Sequence, residues 1–182
     1  MDMPSSEPRK KILLLAGWSG AGKDTLAARL MNCTPFKRYA FADPVKDAAA
    51  EWYGFPRALA DTEEGKRSMW KERTVREWII FHGEEEKRIH GKDVWAKRIA
   101  PAILDDIETS YFVVTDWRFI DELVALQKSV GAVADIYPMR VVNENQRISP
   151  VASLTEYSLL GFPMPEVDIH TRLDYIYEYM EM

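Results

Sequence analysis

The amino-acid sequence predicts an α/β fold whose central sheet is mainly parallel, has about five strands and is flanked by helices. Three observations support this fold class: short continuous apolar runs, helical periodicities between those runs, and a glycine-rich loop that joins the first run to the first helical pattern. Continuous apolar runs are typical of parallel strands that are buried on both faces. Strands that alternate with helices favour a parallel sheet with right-handed crossovers.

The predicted strands are short segments rich in apolar, β-branched or aromatic residues. They are residues 12–16, 38–42, 111–115 and 132–137. The first ends before Gly17 and the fourth ends before Pro138, because glycine and proline commonly bound a strand.

Helical periodicity connects these strands and closes the chain. The apolar positions of the three clearest patterns are Trp95, Ile99, Ala102 and Ile103; Phe119, Leu123, Leu126 and Val130; and Leu173, Ile176, Tyr177 and Met180. Residues 55–73 and 140–166 carry no clear period, and loops of that length in a compact domain usually have a function or are disordered.

Length and composition predict one ordinary globular domain. With 182 residues, we expect a disordered lead-in over residues 1–10 and a single domain over residues 11–182. The 47% hydrophobic and 29% charged residues exclude a chain that is disordered throughout. The net charge of −5 excludes a protein that coats nucleic-acid polymers without specificity.

No segment predicts a membrane or secretion address. The longest early apolar run, Ile12–Ala16, is shorter than a signal or membrane-spanning segment needs. We therefore expect a soluble protein in the cytoplasm, which is the host cytoplasm if the source is viral. Cys33 is the single cysteine, so it forms neither an internal disulfide nor a CxxC zinc site, and we expect a small buried apolar residue in a reducing compartment.

The most specific motif is GWSGAGKDT, which follows the first predicted strand and precedes a helical pattern. A G-x4-G-K loop in that position brings backbone N–H groups around a polyphosphate, and its lysine reaches the β and γ phosphates. A glycine-rich turn that merely caps a helix would need neither the lysine nor the strand. The candidate nucleotide-binding residues are Gly17, Ser19, Gly20, Ala21, Gly22, Lys23, Asp24 and Thr25.

The loop departs from the general motif at the residue after the lysine. Asp24 stands where serine or threonine usually ligates Mg²⁺, and Thr25 supplies a hydroxyl one position later. The ion could be held by Thr25, by Asp24 or through water. Asp116 is the third candidate near the metal, because it follows the apolar run 111–115.

Other polar residues follow the predicted strands, where ligands gather in parallel sheets. Asp43 is a candidate helix N-cap with Pro44 in the first turn, and Lys46 is suited to meet a phosphate. Arg118 would place positive charge near a transferring phosphate, and an N-cap acid followed by a solvated arginine is the less favoured alternative for Asp116 and Arg118.

Two further groups of charged residues have weaker signals. Arg140 and Arg147 would lie in a loop that closes over a nucleotide, which is also a common composition for a surface loop. The middle segment is a charged helix with an aromatic residue, and a solvated helix face is an equal alternative. It contributes Arg76, Gly83, Glu84, Lys87, Arg88 and Trp95.

Taken together, these segments resemble the deoxynucleoside monophosphate kinase family of phages, a branch of the P-loop nucleotide kinases that also includes animal-type phosphomevalonate kinase. The matching segments are SGAGKDT at 19–25, FADPVK at 41–46, TVRE at 74–77 leading to Gly83 and Trp95, and VVTDWRF at 113–119 with Glu122. Softer matches are residues 131–133 with Arg140, Thr155–Glu156, and Asp168–Ile169. Ser153 departs from the family, where a histidine commonly precedes the Thr-Glu pair, and the region between Tyr53 and Arg73 is short.

The resemblance implies a P-loop kinase fold with lid and acceptor-binding insertions, ATP and Mg²⁺ as cofactors, and a deoxynucleoside monophosphate as the small-molecule partner. The reaction would transfer the γ-phosphate of ATP to the 5′-phosphate of the acceptor. The implied acceptor-site residues include Arg76, Trp95, Asp116 and Arg118, with Trp95 near the base and Arg140 in the lid. The full candidate acceptor set is Asp43, Lys46, Arg76, Gly83, Arg88, Trp95, Asp116 and Arg118.

The candidate catalytic residues are Lys23, Asp116, Arg118 and Arg140. We expect Lys23→Ala or Asp116→Ala to lower turnover by orders of magnitude and to leave the fold intact. Phosphomevalonate kinase is the rival enzyme, favoured by the segment GEEEKR at 83–88. A nucleotide-binding module without turnover is the rival from another class, and a homodimer stays open.

Overall fold

A computed structural model describes residues 8–33, 35–143, 159 and 161–182. Its main sheet has five strands in the order β2-β5-β1-β6-β7, and every pairing in this sheet is parallel. The strands are β1 (Lys10–Ala16), β2 (Phe36–Tyr39), β5 (Tyr111–Val114), β6 (Ala134–Val141) and β7 (Glu166–Val167). The predicted α/β class with a parallel sheet of about five strands is confirmed.

Strand β1 lies in the middle of the sheet, between β5 and β6. Its side chains alternate between the two faces, as the pleat of a strand requires. Ile12 and Leu14 pack on one face and Leu13 and Leu15 on the other, and all four are fully buried. The sheet therefore separates two hydrophobic cores that share β1.

Helices cover both faces of this sheet. Buried residues of α2, α5 and α6 complete the core beneath Ile12 and Leu14, whereas α1 and α7 complete the core beneath Leu13 and Leu15. The helices are α1 (Lys23–Cys33), α2 (Ala42–Tyr53), α3 (Glu63–Arg67), α4 (Val75–His90), α5 (Val94–Leu104), α6 (Ile120–Val130) and α7 (Leu173–Glu181). The predicted patterns around 95–103, 119–130 and 173–180 correspond to α5, α6 and α7.

A third cluster of buried residues lies outside the sheet, between α2 and the segment that follows it. The region 55–73, which has no clear period, contains a 3-10 turn (Arg57–Ala60), α3, and a two-stranded hairpin of β3 (Met69–Trp70) and β4 (Arg73–Thr74). Its core consists of Ala49, Ala50, Phe55, Ala60, Val75 and Trp78. Helix α4 begins after this hairpin with a capping box, in which Thr74 and Glu77 satisfy each other's backbone N–H groups.

Strand β6 runs through Pro138 to Val141 instead of ending before it, so the predicted boundary is wrong. Leu14 pairs with Pro138 in the register of β1 and β6. The carbonyl oxygen of Pro138 accepts a hydrogen bond from the Tyr179 hydroxyl, at 3.0 Å, on the side away from β1. In a strand, the N–H and C=O groups of one residue point to the same side. The N–H group that proline lacks would therefore face Tyr179 and not β1, so no hydrogen bond between β1 and β6 is lost.

Two smaller expectations also change. Strand β2 begins at Phe36 and ends at Tyr39, earlier than the predicted 38–42. Cys33 is exposed at the end of α1, so the expectation of a buried residue is wrong. At the start of the described chain, Lys10 already belongs to β1, and the Arg9 guanidinium donates to the Asp135 carboxylate at 2.9 Å.

Over the residues that the structure describes, no helix combines the length and apolar character needed to cross a membrane.

Candidate functional site

The glycine-rich loop joins the carboxyl end of β1 to the first turn of α1, as the motif predicts. The loop closes on itself through a hydrogen bond from the Ala21 N–H to the Trp18 carbonyl oxygen, at 3.0 Å. The Lys23 ammonium donates to the carbonyl oxygens of Gly17, at 2.7 Å, and Trp18, at 2.9 Å. These contacts hold the lysine across the mouth of a loop at a helix N-terminus, where an anion is favoured.

Two loop glycines occupy positions that no larger residue fits. Gly17 has φ +140°, and a Cβ atom there would lie 2.3 Å from the carbonyl oxygen of Val141. Gly22 has φ +96°, and a Cβ atom there would lie 2.2 Å from Cγ2 of Ile169. The loop is therefore packed against the end of β6 and against the segment that follows β7.

Asp24 and Thr25 both lie in the exposed first turn of α1. An oxygen of the Asp24 carboxylate accepts from the Arg38 guanidinium at 3.2 Å. Among the described residues no cluster of three or more His, Cys, Asp or Glu side chains could hold a metal ion. Mg²⁺ at nucleotide sites takes few protein ligands and several phosphate or water oxygens, so the Thr25 hydroxyl fits such an ion.

Asp43 lies inside the first turn of α2, so its predicted role as the N-cap is wrong. Its carboxylate accepts from the Arg38 guanidinium at 3.2 Å and from the Lys46 ammonium at 3.1 Å. Lys46 also reaches Asp61 at 3.4 Å, and Arg57 lies 4.0 Å from Asp43. Three cations thus surround Asp43, and the phosphate expected at Lys46 would have to compete with two carboxylates.

Arg38 is a residue of this network that the sequence motifs do not identify. It lies on β2 and bridges Asp24, in the first turn of α1, to Asp43, in the first turn of α2. Its position close to the carboxyl end of a parallel strand is the signal that could have found it. The bridge connects the helix of the phosphate-binding loop to the helix that follows β2.

Asp116 supplies the cap that Asp43 was expected to supply. Its two carboxylate oxygens accept from the backbone N–H groups of Phe41 and Ala42, each at 2.7 Å. Burial raises the pKa of the Asp116 carboxyl, whereas these two hydrogen bonds act in the opposite direction. The side chain expected near Mg²⁺ is therefore used, in this structure, to hold the N-terminus of α2.

Glu122 is a second buried carboxylate beside Asp116, in the first turn of α6. One of its oxygens accepts from the backbone N–H groups of Arg118, at 3.0 Å, and Phe119, at 3.1 Å. Burial raises the pKa of Glu122 to about 7, with the hydrogen bond from the Arg118 N–H acting against this rise and the negative charge of Asp116 contributing to it. Glu122 thus fixes the backbone at Arg118, whose exposed guanidinium is a candidate for the transferring phosphate.

The structure does not bring the predicted acceptor residues on α4 together. Arg76 pairs with Glu63 at 2.6 Å near the start of α4, and Arg88 pairs with Glu85 at 2.8 Å near its end. Twelve residues of helix separate them by about 18 Å along the axis. Gly83 is buried between them, where an added Cβ atom would lie 3.3 Å from Cγ1 of Val45, so it serves the packing of α4 on α2.

Trp95 is buried, with only 2% of its surface exposed, in the first turn of α5. The Arg98 guanidinium lies 4.6 Å from its ring centroid. The indole N–H of Trp95 has no hydrogen-bond acceptor among the described residues. A residue expected to contact the base is therefore mostly enclosed by protein, with one polar group unsatisfied.

Arg140 lies on β6 and not in a loop, so the prediction of a loop arginine is wrong. Its guanidinium donates to the Glu166 carboxylate at 2.8 Å and to the Leu159 carbonyl oxygen at 2.6 Å. These bonds hold it against β7. Arg147, Ser153 and the pair Thr155–Glu156 lie outside the described residues.

A cavity of about 470 Å³ opens between the second half of α4 and the start of α6. The Lys87 ammonium lies 5.0 Å from the ring centroid of Phe119, which directly follows Arg118. The residues that line this cavity are Glu84, Lys87, Arg88, Lys92, Phe119 and Asp121. Three cations, two carboxylates and one aromatic ring thus line this cavity, and Lys87 pairs with Glu84 at 3.2 Å.

Comparison with protein families finds no family model that matches the chain. One curated relative is the inner membrane ABC transporter ATP-binding protein YddA of Escherichia coli K12, which is 27% identical over 156 residues. The alignment covers 80% of this chain and 27% of that protein, so the chain spans about a quarter of the length of the relative.

Three solved structures are similar over most of the chain at low identity. The APS kinase CysC of Mycobacterium tuberculosis, in a cysteine-to-alanine mutant form, is 15% identical with a TM-score of 0.48, covering 97% of this chain and 100% of that one. A gluconokinase of Sinorhizobium meliloti is 12% identical with a TM-score of 0.45, covering 96% and 92%. The dephospho-CoA kinase of Campylobacter jejuni is 13% identical with a TM-score of 0.41, covering 94% of each chain.

Proposed function

We propose that this protein is an ATP-dependent phosphotransferase that transfers the γ-phosphate of ATP to the 5′-phosphate of a deoxynucleoside monophosphate. The observation that carries the proposal is the loop of residues 17–23, which presents backbone N–H groups at the start of α1 and holds Lys23 across its mouth. The similarity to part of an ATP-binding protein supports ATP as the nucleotide.

The residues of the chain need only bind, align and neutralise charge. An acceptor phosphate is already a competent nucleophile at neutral pH, so no general base is required. The loop and Lys23 would bind the β and γ phosphates, and the Thr25 hydroxyl would hold Mg²⁺ together with phosphate oxygens. A magnesium ion in that position neutralises phosphate charge. Arg118, with its backbone fixed by Glu122, would add positive charge beside the acceptor.

The cavity next to Arg118 supports a nucleotide as the acceptor. Lys87, Arg88 and Lys92 would supply cations for a phosphate monoester, which would compete with Glu84 for Lys87 and with Glu85 for Arg88. Phe119, over which the Lys87 ammonium lies, would provide the aromatic ring for a base. Mevalonate 5-phosphate, the acceptor of the rival enzyme, has a phosphate but no ring to pack on Phe119.

The decisive experiment measures ADP release from ATP with dAMP, dGMP, dCMP, dTMP and mevalonate 5-phosphate, each tested alone with Mg²⁺. We expect release with at least one of the four deoxynucleotides. Release with mevalonate 5-phosphate alone would overturn the proposal in favour of phosphomevalonate kinase. ATP binding without release across the whole panel would instead indicate a nucleotide-binding module without turnover.

The variant Lys23→Ala tests the loop within the same assay. We expect turnover to fall by about 100-fold to 1,000-fold, the usual effect of losing one group that stabilises the transition state. The circular-dichroism spectrum should be unchanged, because Lys23 bonds to carbonyl oxygens of the loop and not to the core. The matched control is Lys128→Ala, an exposed lysine on α6, which should keep full turnover.

A further inference from the structure

Asp24 places a negative charge directly beside the phosphate-binding loop. It follows Lys23 in the chain and lies in the first turn of α1. Its Oδ1 atom accepts from Nε of Arg38 at 3.3 Å and from Nη2 of Arg38 at 3.2 Å. Among the residues that the structure describes, Arg38 is the one cation within 4.0 Å of this carboxylate. The charge of Asp24 is therefore offset by a single residue of another element.

A carboxylate in this turn opposes the binding of a phosphate. The N-terminus of a helix favours one negative charge, so Asp24 and a bound phosphate would share the same positive end of α1. A phosphate that accepts from the N–H group of Asp24 would lie within about 10 Å of the carboxylate of that residue, because one residue spans no more. This distance is close to the Debye length at about 0.1 M salt, so the repulsion is only partly screened.

Arg38 is held in place by a second carboxylate on α2. Its Nη1 atom donates to Oδ2 of Asp43 at 3.2 Å, so all three nitrogens of the guanidinium have acceptors. Asp43 also accepts from the Lys46 ammonium at 3.1 Å. If Arg38 were removed, Asp43 would keep Lys46, whereas Asp24 would keep no cation among the described residues. The charge effect of Arg38 thus falls on Asp24.

We propose that Arg38 is a positioning residue of the phosphate-binding loop, which neutralises Asp24 and so allows the loop to accept a polyphosphate. Arg38 acts through Asp24 and does not touch the phosphate. The inference rests on the proposed function only for the nucleotide: it requires that the loop bind ATP, whichever acceptor receives the phosphate. Within the described sheet, β2 pairs with β5 alone, so a side chain of this edge strand can be replaced with little effect on the sheet.

The test is equilibrium dialysis of the full chain against radiolabelled ATP, with excess Mg²⁺ and at low salt. Arg38→Met keeps the length of the side chain and removes its charge. We expect this variant to weaken ATP binding by about 10-fold, the order of magnitude for one uncompensated charge near a polyphosphate at a protein surface. Adding Asp24→Asn to Arg38→Met should restore binding to within about 2-fold of the unmodified protein, because the charge that Arg38 offsets is then gone.

Two single variants keep the inference testable if Arg38→Met fails to fold. Arg38→Lys keeps the positive charge, so it should weaken ATP binding by no more than about 3-fold. Asp24→Asn leaves Arg38 in place and removes the repulsion, so it should bind ATP at least as tightly as the unmodified protein does. Thermal unfolding of each variant shows whether it is folded at the temperature of the dialysis.

Salt separates an effect of charge from an effect on folding. At about 1 M salt the Debye length falls to about 3 Å, so Arg38→Met and the unmodified protein should differ by less than about 2-fold. A purely structural role would leave their ratio unchanged. The matched control is Arg9→Met, which also removes an arginine paired with a carboxylate, that of Asp135 at 2.9 Å. Arg9 lies before β1, at the end of the strand away from the loop, so ATP binding should be unchanged.

The proposal is overturned if Arg38→Met binds ATP as tightly as the unmodified protein at low salt, or if Asp24→Asn alone weakens binding. It is also overturned if the double variant binds as weakly as Arg38→Met, because Arg38 would then contact the phosphate itself. Dialysis measures binding and not ADP release. A chain that binds ATP but phosphorylates no deoxynucleotide therefore contradicts the proposed function, while the role of Arg38 is still decided by the four variants.

Discussion

Glu122 is a residue whose ionisation should affect stability near neutral pH. Its ordinary pKa of 4.5 rises to about 7 in the fold because the carboxyl is buried. Between these values the native state holds a proton that the unfolded chain has lost, so stability falls as pH rises through this window. The shift corresponds to about 3 kcal/mol at most. We expect Glu122→Gln, which carries no charge, to lose most of this slope.

The measurement is the free energy of unfolding from urea titrations at pH 5 and pH 8. Glu122→Gln should gain stability relative to the unmodified protein between pH 5 and pH 8, because it lacks the carboxyl whose ionisation destabilises the fold in this range. Asp116 has a pKa raised by burial as well, so part of the slope should remain. Glu178→Gln, at an exposed position of α7, is the control and should keep the full slope. An unchanged slope in Glu122→Gln would mean that this carboxyl is already ionised in the native state at pH 5.

At the scale of elements, the start of α2 depends on a residue from another part of the chain. Both oxygens of Asp116 bond to the first N–H groups of α2, which no residue within the helix satisfies. We therefore expect Asp116→Ala to lower the free energy of unfolding by about 1–2 kcal/mol, as the loss of a helix cap does. The structure thus modifies the sequence-based expectation of an intact fold with lost turnover, since one substitution should change both properties.

Urea unfolding at pH 7 measures this effect, with Asp121→Ala as the control. Asp121 is an exposed acid in the first turn of α6, and its removal should change stability by a few tenths of a kcal/mol. Asp116→Asn keeps one acceptor oxygen but turns an amide N–H₂ group toward a backbone donor, so it should recover only part of the loss. An Asp116→Ala protein as stable as the unmodified chain would show that the cap contributes little to stability.

For the molecule as a whole, the sequence predicts the parts whose signal is local. The apolar run 12–16 identifies β1, because a strand buried on both faces needs consecutive apolar residues. The pattern 173–180 identifies α7, because a helix buried along one stripe repeats its apolar residues at helical spacing. The boundary at Pro138 fails because the tolerance for proline depends on the neighbouring strand: among the described residues β7 pairs with β6 only at Arg140 and Val141, so no ladder bond needs an N–H group at position 138. Long-range contacts of this kind leave no local pattern.

The site shows the same division between local and distant signals. The loop around Lys23 could be predicted because its glycines, lysine, strand and helix are contiguous in the chain. The capping of α2 by Asp116 instead of Asp43 could not be predicted, because the carboxylate that caps α2 comes from a residue 75 positions beyond Phe41. The sequence does not identify Arg38 for a related reason. It belongs to no motif, and its role depends on the residues that pack against it.

The arrangement of the cores predicts that the molecule opens in parts. Strand β1 is buried on both faces and paired on both edges, whereas the cluster around Phe55 lies beside the sheet and is closed by short elements. Amide groups in residues 57–74 should therefore exchange through a local opening that leaves β1 intact, and β1 amides only through global unfolding. Hydrogen exchange followed by mass spectrometry should find β1 the slower of the two.

Two mild core substitutions distinguish local from global opening. Ile12→Val lowers the free energy of opening by about 1 kcal/mol, but only for openings in which β1 unfolds, so β1 amides should exchange about five times faster while residues 57–74 are unaffected. Phe55→Leu lowers the free energy of the local opening and of global unfolding alike, because Phe55 is released in both, so both segments should exchange faster. If Ile12→Val accelerates hydrogen exchange equally in both segments, the chain unfolds as one cooperative unit, and residues 57–74 have no local opening of their own.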